Sequence, residues 1–136
     1  MAASVLVDAS FVVALFNRRD RNHHWAAAQS ANHARPWHTC EPVLSEAFYL
    51  LGPRGAPALK TLLRRGSLRP AFDLADQLDP VLQLMDKYAD VPMSLADACL
   101  VRMSETLSDS LILTLDTDFR VYRRHSRQVV PCLIPD

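Results

Sequence analysis

The stretch Ser110-Leu-Ile-Leu-Thr-Leu115 is the clearest buried strand in the sequence, and it leads directly into Asp116-Thr-Asp118. A short, continuous apolar run that ends in turn-forming residues is typical of a strand covered on both faces in a parallel sheet. Ser4 to Val7, near the other end of the chain, has the same form and is followed by Asp8. Ligands bind at the carboxyl ends of such strands, so both strands are expected to place carboxylates at one edge of the sheet.

Helical and strand-like segments alternate between these two strands. Helices are predicted for Ser10 to Phe16, His23 to Ala34, Pro42 to Leu51, Pro57 to Arg65, Leu74 to Tyr88 and Ser94 to Leu107. Further strands are predicted for Pro36 to Cys40, Leu68 to Phe72 and Val129 to Ile134. Ser10 is expected to cap the first helix, and Gly52-Pro53 to end the helix that begins at Pro42. This alternation indicates an α/β sandwich around a parallel sheet.

Composition narrows the class of protein. The 136 residues carry a formal net charge of zero, with 15 Lys and Arg against 15 Asp and Glu. One core typically spans roughly 100 to 200 residues, so residues 1–136 are expected to form one domain. The apolar fraction of 49% and charged fraction of 22% argue against a disordered chain. The neutral balance gives no sign of a nucleic-acid partner, although 13 of the basic residues are Arg, which suits phosphate better than Lys.

The cysteines indicate a reducing compartment. Cys40, Cys99 and Cys132 are odd in number, lack CxxC spacing and lie among apolar neighbours, which predicts reduced thiols in the core. The first residues lack the basic and apolar regions of a signal peptide, and no apolar run reaches the roughly 18 to 20 residues of a membrane-spanning helix. A cytoplasmic protein without membrane contact is therefore expected.

Acidic residues recur at the ends of the predicted elements. Asp8 and Asp116 directly follow strands, Asp97 lies in the first turn of the helix that begins at Ser94, and Glu46 lies on a helix beside its apolar stripe. Each acid also has a purely structural explanation. Ser94-x-x-Asp97 matches a capping box, Asp116 suits a polar turn, Asp8 is placed to cap a helix, and Glu46 suits an exposed position on a helix. Because all four acids are expected at one edge of the sheet, they nevertheless favour a shared functional site.

Carboxylates that crowd together repel one another unless a cation joins them. Oxygen ligands suit Mg²⁺ or Mn²⁺ rather than zinc. Such ions lower the pKa of an attacking water and stabilise the leaving oxygen during displacement at phosphorus. The acidic residues therefore predict an enzyme that cleaves phosphodiesters with the help of a divalent metal ion.

Four short motifs resemble the PIN domain family, and within it the VapC-type toxins of toxin-antitoxin pairs. They are Val7-Asp8-Ala9-Ser10, Ser45-Glu46, Leu95-Ala96-Asp97-Ala98 and Thr114-Leu115-Asp116-Thr117-Asp118-Phe119. Each motif is weak alone, but their order and spacing cover nearly the whole chain. The resemblance implies a three-layer α/β/α sandwich with a central parallel sheet of four or five strands. It also implies a metal-dependent endoribonuclease of a type II toxin-antitoxin system.

The resemblance also implies roles for individual residues. Asp8, Glu46, Asp97 and Asp116 would form an acidic quartet that holds one or two Mg²⁺ or Mn²⁺ ions and orients the attacking water. Asp118 is the second choice for the fourth acidic ligand. Ser10 and Thr114 would support the site through their hydroxyls. Similar toxins are usually homodimers inhibited by a small antitoxin of VapB type, and both expectations carry over here.

RNA binding would fall to arginines around the groove. The candidates are the clusters Arg18-Arg19-x-Arg21, Arg64-Arg65 and Arg120 to Arg127, and among them Arg18, Arg19 and Arg120 are favoured. Any one arginine cluster is as readily a solvated surface. Trp25 and Trp37 are expected to anchor the core rather than stack on bases. Two alternatives to the toxin stay open, namely a catalytically silent PIN-type module that binds RNA or an antitoxin, and a housekeeping nuclease that processes RNA.

Overall fold

Short aliphatic runs form the strands of a central sheet in the computed structural model, which describes residues 3–136. The strands are β1 (Ser4–Val7), β2 (Trp37–Thr39), β3 (Leu68–Pro70), β4 (Ser110–Leu113), β5 (Arg123–Arg124), β6 (Gln128–Val129) and β7 (Cys132–Leu133). Five of them form one sheet in the order β3-β2-β1-β4-β7, and every neighbouring pair is parallel. β1 and β4 are therefore central neighbours, with Val7 opposite Leu113.

Helices connect the parallel strands and flank the sheet, which confirms the predicted α/β/α sandwich. They are α1 (Ala9–Phe16), α2 (His23–Asn32), α3 (Glu41–Arg64), α4 (Leu78–Lys87) and α5 (Leu95–Thr106). A short 3-10 helix, Thr117–Arg120, follows β4. The core lies between these layers and includes Trp37, which is fully buried and packs edge-on against Phe11. No helix within residues 3–136 has the length and apolar character needed to cross a membrane.

The first helix is capped by Asp8, which was one of the two predicted caps, and not by Ser10. Asp8 has extended backbone angles at the end of β1, and its Oδ1 accepts a hydrogen bond of 2.7 Å from the Ala9 amide. Ser10 already lies inside the helix. A cap must precede the first helical residue with its backbone extended, and only Asp8 meets that condition.

The α3 helix carries the predicted break at Gly52. There the backbone takes φ 63° and ψ −166°, a conformation essentially confined to glycine, and the chain resumes a helix at Pro53. The second helical segment thus begins at Pro53 rather than at the predicted Pro57, since proline suits a first helical turn. The helix ends at Arg64, and Gly66 lies just beyond it with a φ of +71° and an amide that donates to the Leu63 carbonyl, as predicted from the sequence.

The chain terminus departs furthest from expectation. Val129 to Ile134 is not one strand, because Pro131 divides it between two sheets. β6 pairs antiparallel with β5, while β7 joins the edge of the main sheet beside β4. Proline has no amide to donate, but its carbonyl accepts from Ile112 at 2.9 Å and so marks the point where the chain enters the main sheet.

One helix and one strand are shorter than predicted. α4 begins at Leu78 and not at Leu74, because the Asp73 carboxylate accepts from the Ala75 amide at 3.1 Å and holds a turn there. β3 ends at Pro70 rather than at Phe72. All three cysteines are free thiols, and Cys40 and Cys99 are fully buried as predicted, while Cys132 is half-buried.

Candidate active site

The pairing of β1 with β4 brings Asp8 and Thr114 together at the carboxyl end of the sheet. The Asp8 amide donates to the Leu113 carbonyl at 3.1 Å, which continues the register of the two strands. The Thr114 hydroxyl then donates to Asp8 Oδ2 at 2.7 Å. Asp8 is only 5% exposed. Burial raises the pKa of its carboxyl above the usual range, the hydrogen bond from Thr114 opposes this shift, and the charge of Asp116 adds to it.

Ser10 and Thr114 tie the start of α1 to the segment after β4. The Ser10 hydroxyl donates to Asp8 Oδ2 at 3.1 Å and accepts from the Leu115 amide at 3.0 Å. Thr114 Oγ1 accepts from the Asp116 amide at 3.0 Å. The two hydroxyls thus fix Asp8 and the backbone of Asp116 relative to each other. The structure places both predicted supporting residues in direct contact with the Asp8 carboxylate.

Asp97 lies at the start of α5 and is buried, with 7% of its surface exposed. Ser94 caps the helix by accepting from the Asp97 amide at 3.0 Å, as the capping motif predicts. The Asp97 carboxylate instead accepts a hydrogen bond of 2.9 Å from the Tyr122 hydroxyl. Burial and the charges of Asp8 and Asp116 raise the pKa of Asp97 to about 7.

Tyr122 is the residue of this site that the sequence did not reveal. It is fully buried beside Phe119 and Tyr88, and it reaches Asp97 from the segment after the 3-10 helix. Burial and the neighbouring Asp97 carboxylate raise the pKa of its phenol, which keeps the hydroxyl protonated and donating. Only its spacing of four residues from Asp118 hinted at a place near the acids.

Glu46 approaches from α3, where its side chain is exposed to solvent. Partial burial, followed by the charges of Asp8 and Asp116, raises the pKa of Glu46. The expectation that the core flanks Glu46 is wrong, because its side chain is exposed and the predicted stripe of Leu44, Phe48 and Leu51 is only half-buried. Val43 and Ala47 form the buried face of this part of the helix.

Asp116 and Asp118 occupy different positions. Asp116 Oδ1 accepts from the Asp118 amide at 2.9 Å and caps the 3-10 helix, so the polar-turn explanation describes the backbone correctly. Asp116 also faces the other acids. Asp118 is half-buried, and it is not among the residues that line their cleft.

A cleft of about 250 Å³ unites four of the predicted acids. It is lined by Asp8, Ser10, Glu46, Leu50, Pro92, Ser94, Asp97 and Asp116. No basic side chain is among these residues. The cleft therefore concentrates negative charge without an internal counter-ion. Burial first, and then the charges of neighbouring acids, raise the pKa values of Asp8, Glu46 and Asp97.

The donor chemistry of this cleft suits a hard divalent cation. Within residues 3–136, no three acidic, histidine or cysteine side chains are already gathered tightly enough to form a ready-made ligand set. Magnesium does not need one, because it keeps several waters and is commonly held by one or two carboxylates. The oxygen donors of Asp8, Asp97 and Asp116 fit that requirement.

Comparison with known proteins then identifies the family. The family model of the PIN domain matches residues 5–124. This chain belongs to the PIN domain family. Its fold is similar to the crystal structure of VapC20 from Mycobacterium tuberculosis, a toxin that cleaves the sarcin-ricin loop, with a TM-score of 0.78. That alignment covers 87% of this chain and 94% of the other, at 24% sequence identity. No curated protein matches this PIN domain in sequence.

The predicted RNA-binding arginines of this PIN domain lie outside the acidic cleft. Arg18 and Arg19 are exposed just beyond the end of α1, where they line a second cavity together with Arg54. Arg120 is exposed at the end of the 3-10 helix. The structure therefore groups the first two arginines with each other and leaves Arg120 apart from them.

Proposed function

We propose that this PIN domain is a divalent-metal-dependent endoribonuclease that acts as the toxin of a toxin-antitoxin pair. One observation carries the nuclease proposal. Asp8, Glu46, Asp97 and Asp116 come from four separate elements and face a single cleft that no basic side chain lines. Such a cleft would bind a cation and, with it, the anionic backbone of RNA.

Asp8, Asp97 and Asp116 would hold Mg²⁺ or Mn²⁺, with Glu46 orienting the attacking water. The ion would supply a water of lowered pKa and stabilise the leaving oxygen at phosphorus. We favour Asp116 over Asp118 as the fourth acid because Asp116 lines the cleft. These carboxylates would hold one or two ions.

The remaining residues of the site keep the carboxylates in place. Ser10 and Thr114 both donate to Asp8 Oδ2, which leaves little freedom for that carboxylate to turn. The Tyr122 hydroxyl does the same for Asp97. These donors are neutral, so they orient the acids without cancelling the charge that would attract a metal.

The toxin assignment rests on the family and on the fold shared with VapC20, a toxin. It implies a small antitoxin of VapB type as partner, RNA as substrate, a homodimer and a cytoplasmic location. An antitoxin segment that placed an Arg or Lys in the acidic cleft would pair with its carboxylates and exclude the metal.

The test is cleavage of RNA by the purified protein with Mg²⁺, with Mn²⁺ and with excess chelator. Asp97→Asn is the active-site variant, and Asp90→Asn, which changes an exposed acid outside the cleft, is the matched control. We expect cleavage that needs metal, survives in the control and is lost in Asp97→Asn. Metal-dependent cleavage that persists in Asp97→Asn would refute the assigned site. Tight antitoxin binding without cleavage of any RNA would favour the silent module instead.

A further inference from the structure

A second cavity, of about 410 Å³, lies between the end of α1 and the kinked part of α3. Its volume falls in the range of roughly 300 to 1,000 Å³ that is usual for ligand pockets. Its lining combines three arginines and one asparagine with an apolar floor. The residues are Val13, Phe16, Asn17, Arg18, Arg19, Leu50, Leu51, Arg54 and Gly55. No acidic side chain is among them, so we call this space the arginine cavity.

The guanidinium groups of the arginine cavity have no partner within residues 3–136. Arg18, Arg19 and Arg54 are exposed and take part in no side-chain hydrogen bond or ion pair there. Some arginines elsewhere in the chain are engaged instead. Arg102 pairs with Glu105 at 3.2 Å, and Arg124 donates to two backbone carbonyls. The positive charge of the cavity is therefore uncompensated by the protein.

The kink of α3 lies beside this cavity. Gly52 takes a positive φ between the two helical segments, and Leu51 before it and Arg54 after it both line the cavity. A Cβ at Gly55 would lie 2.7 Å from Leu51 Cδ2, so the two segments of α3 meet closely at this point. On the opposite side, Asn17 Oδ1 accepts from the Arg19 amide at 3.1 Å and holds the loop after α1. The arginines thus stand on two separately anchored segments.

The arginine cavity adjoins the acidic cleft. Leu50 lines both of them. Asp8 caps the start of α1 and Arg18 follows its end, so the acids and the arginines are separated by this eight-residue helix, about 12 Å long. One short single-stranded segment can span that distance.

We propose that the arginine cavity is a phosphate-binding subsite for single-stranded RNA whose neighbouring phosphodiester occupies the acidic cleft. The proposal rests on the nuclease function proposed above. Arginine forks match phosphate oxygens, and the apolar floor formed by Phe16, Leu50 and Leu51 suits the face of an unstacked base. A strand that crosses Leu50 would meet positive charge on one side and the cleavage site on the other. This subsite would favour single-stranded regions, since a paired helix holds its bases inside the stack.

The test is binding of a labelled single-stranded RNA of roughly 10 nucleotides, measured by fluorescence anisotropy in chelator. The cavity variant is Arg18→Ala, Arg19→Ala and Arg54→Ala together. The control variant removes the same charge from other exposed arginines as Arg64→Ala, Arg65→Ala and Arg127→Ala. Thermal melting checks that both variants fold, and Arg54→Glu is a second, single change of the cavity.

We expect the cavity variant to bind RNA about tenfold more weakly and to lower the slope of log affinity against log salt by about 2, because each phosphate contact on a single strand contributes about 0.7. The control should change affinity less than about twofold. Equal losses in both variants, or no loss in the cavity variant, would overturn the subsite. Tighter, cavity-dependent binding of a labelled poly-glutamate peptide would assign the cavity to an acidic protein partner and also overturn it. Because metal is absent, failure of RNA cleavage leaves this result unaffected.

Discussion

Asp97→Asn should stabilise the metal-free protein while abolishing its cleavage of RNA. The pKa of Asp97 lies at about 7 against a usual value of 3.8, so the charged form is disfavoured by burial and by Asp8 and Asp116. A difference of about 3 pH units corresponds to about 4 kcal/mol at most. In the variant Tyr122 donates to a neutral amide oxygen and no longer to a charged carboxylate, and this weaker hydrogen bond offsets about 1 to 2 kcal/mol of the gain. The net gain at pH 8 is about 2 kcal/mol.

The sign of the pH dependence follows from the raised pKa. The folded protein binds the Asp97 proton more tightly than the unfolded chain does, so the free energy of unfolding falls as pH rises from about 4 to about 7 and is level above that. Asparagine removes this contribution. The advantage of the variant should therefore be largest near pH 8, fall below about 1 kcal/mol near pH 4, and disappear only below the unfolded pKa of 3.8, where the carboxyl is protonated in both states.

Urea denaturation in chelator at several pH values measures this difference. Asp90→Asn is the matched control, because it removes one exposed carboxylate outside the cleft and should change the free energy of unfolding by less than about 0.5 kcal/mol. An Asp97→Asn protein that is less stable than the parent at pH 8, or whose advantage does not depend on pH, would refute the reasoning. Cleavage of RNA in Mg²⁺ should fall by more than about 100-fold in the same variant.

Three further substitutions test which residues affect RNA cleavage and which affect the stability of the fold. Tyr122→Phe removes the donor that lowers the pKa of Asp97, so the pH profile of RNA cleavage should shift to higher pH and the rate at pH 7 should fall by about tenfold. Thr114→Val removes the shorter of two hydrogen bonds to Asp8 Oδ2 and leaves the Asp116 amide without a partner, and urea denaturation at pH 8 should show a loss of about 1 to 3 kcal/mol. Gly52→Ala meets no atom within 4 Å but must keep a φ of +63°, so thermal or urea unfolding should show a loss of about 1 to 3 kcal/mol from backbone strain alone.

The central elements of the fold follow from local sequence because their signals are local. The strands that begin at Ser4 and Ser110 are apolar runs of the right length, and Gly52 and Gly66 mark backbone conformations that other residues avoid. The end of the chain was predicted wrongly because its structure depends on distant partners. Residues 128–133 form two strands because β6 pairs with β5 and β7 pairs with β4. The pattern of apolar residues within this segment does not indicate which distant strands it will pair with.

The candidate site divides in the same way. Asp8 and Asp116 could be predicted as site residues because ligands bind at the carboxyl ends of parallel strands. The structure brings these two acids together with Glu46 and Asp97. Tyr122 could not be located. It reaches Asp97 across 25 positions of sequence, and a tyrosine in an irregular segment has no pattern that distinguishes a donor to a carboxylate from a core anchor.

The choice of donors around the acids indicates what the cleft is built to bind. Asp8 accepts from the Ala9 amide and from the hydroxyls of Ser10 and Thr114, and Asp97 accepts from the hydroxyl of Tyr122. An arginine or lysine in these places would stabilise the buried carboxylates far more, because a cation lowers their pKa. It would also occupy the position that a metal ion needs. Neutral donors fix the orientation of each carboxylate and leave its charge unbalanced, and the uncompensated arginines lie on the far side of Leu50. This separation accounts for a net charge of zero in a protein proposed to bind both a cation and RNA.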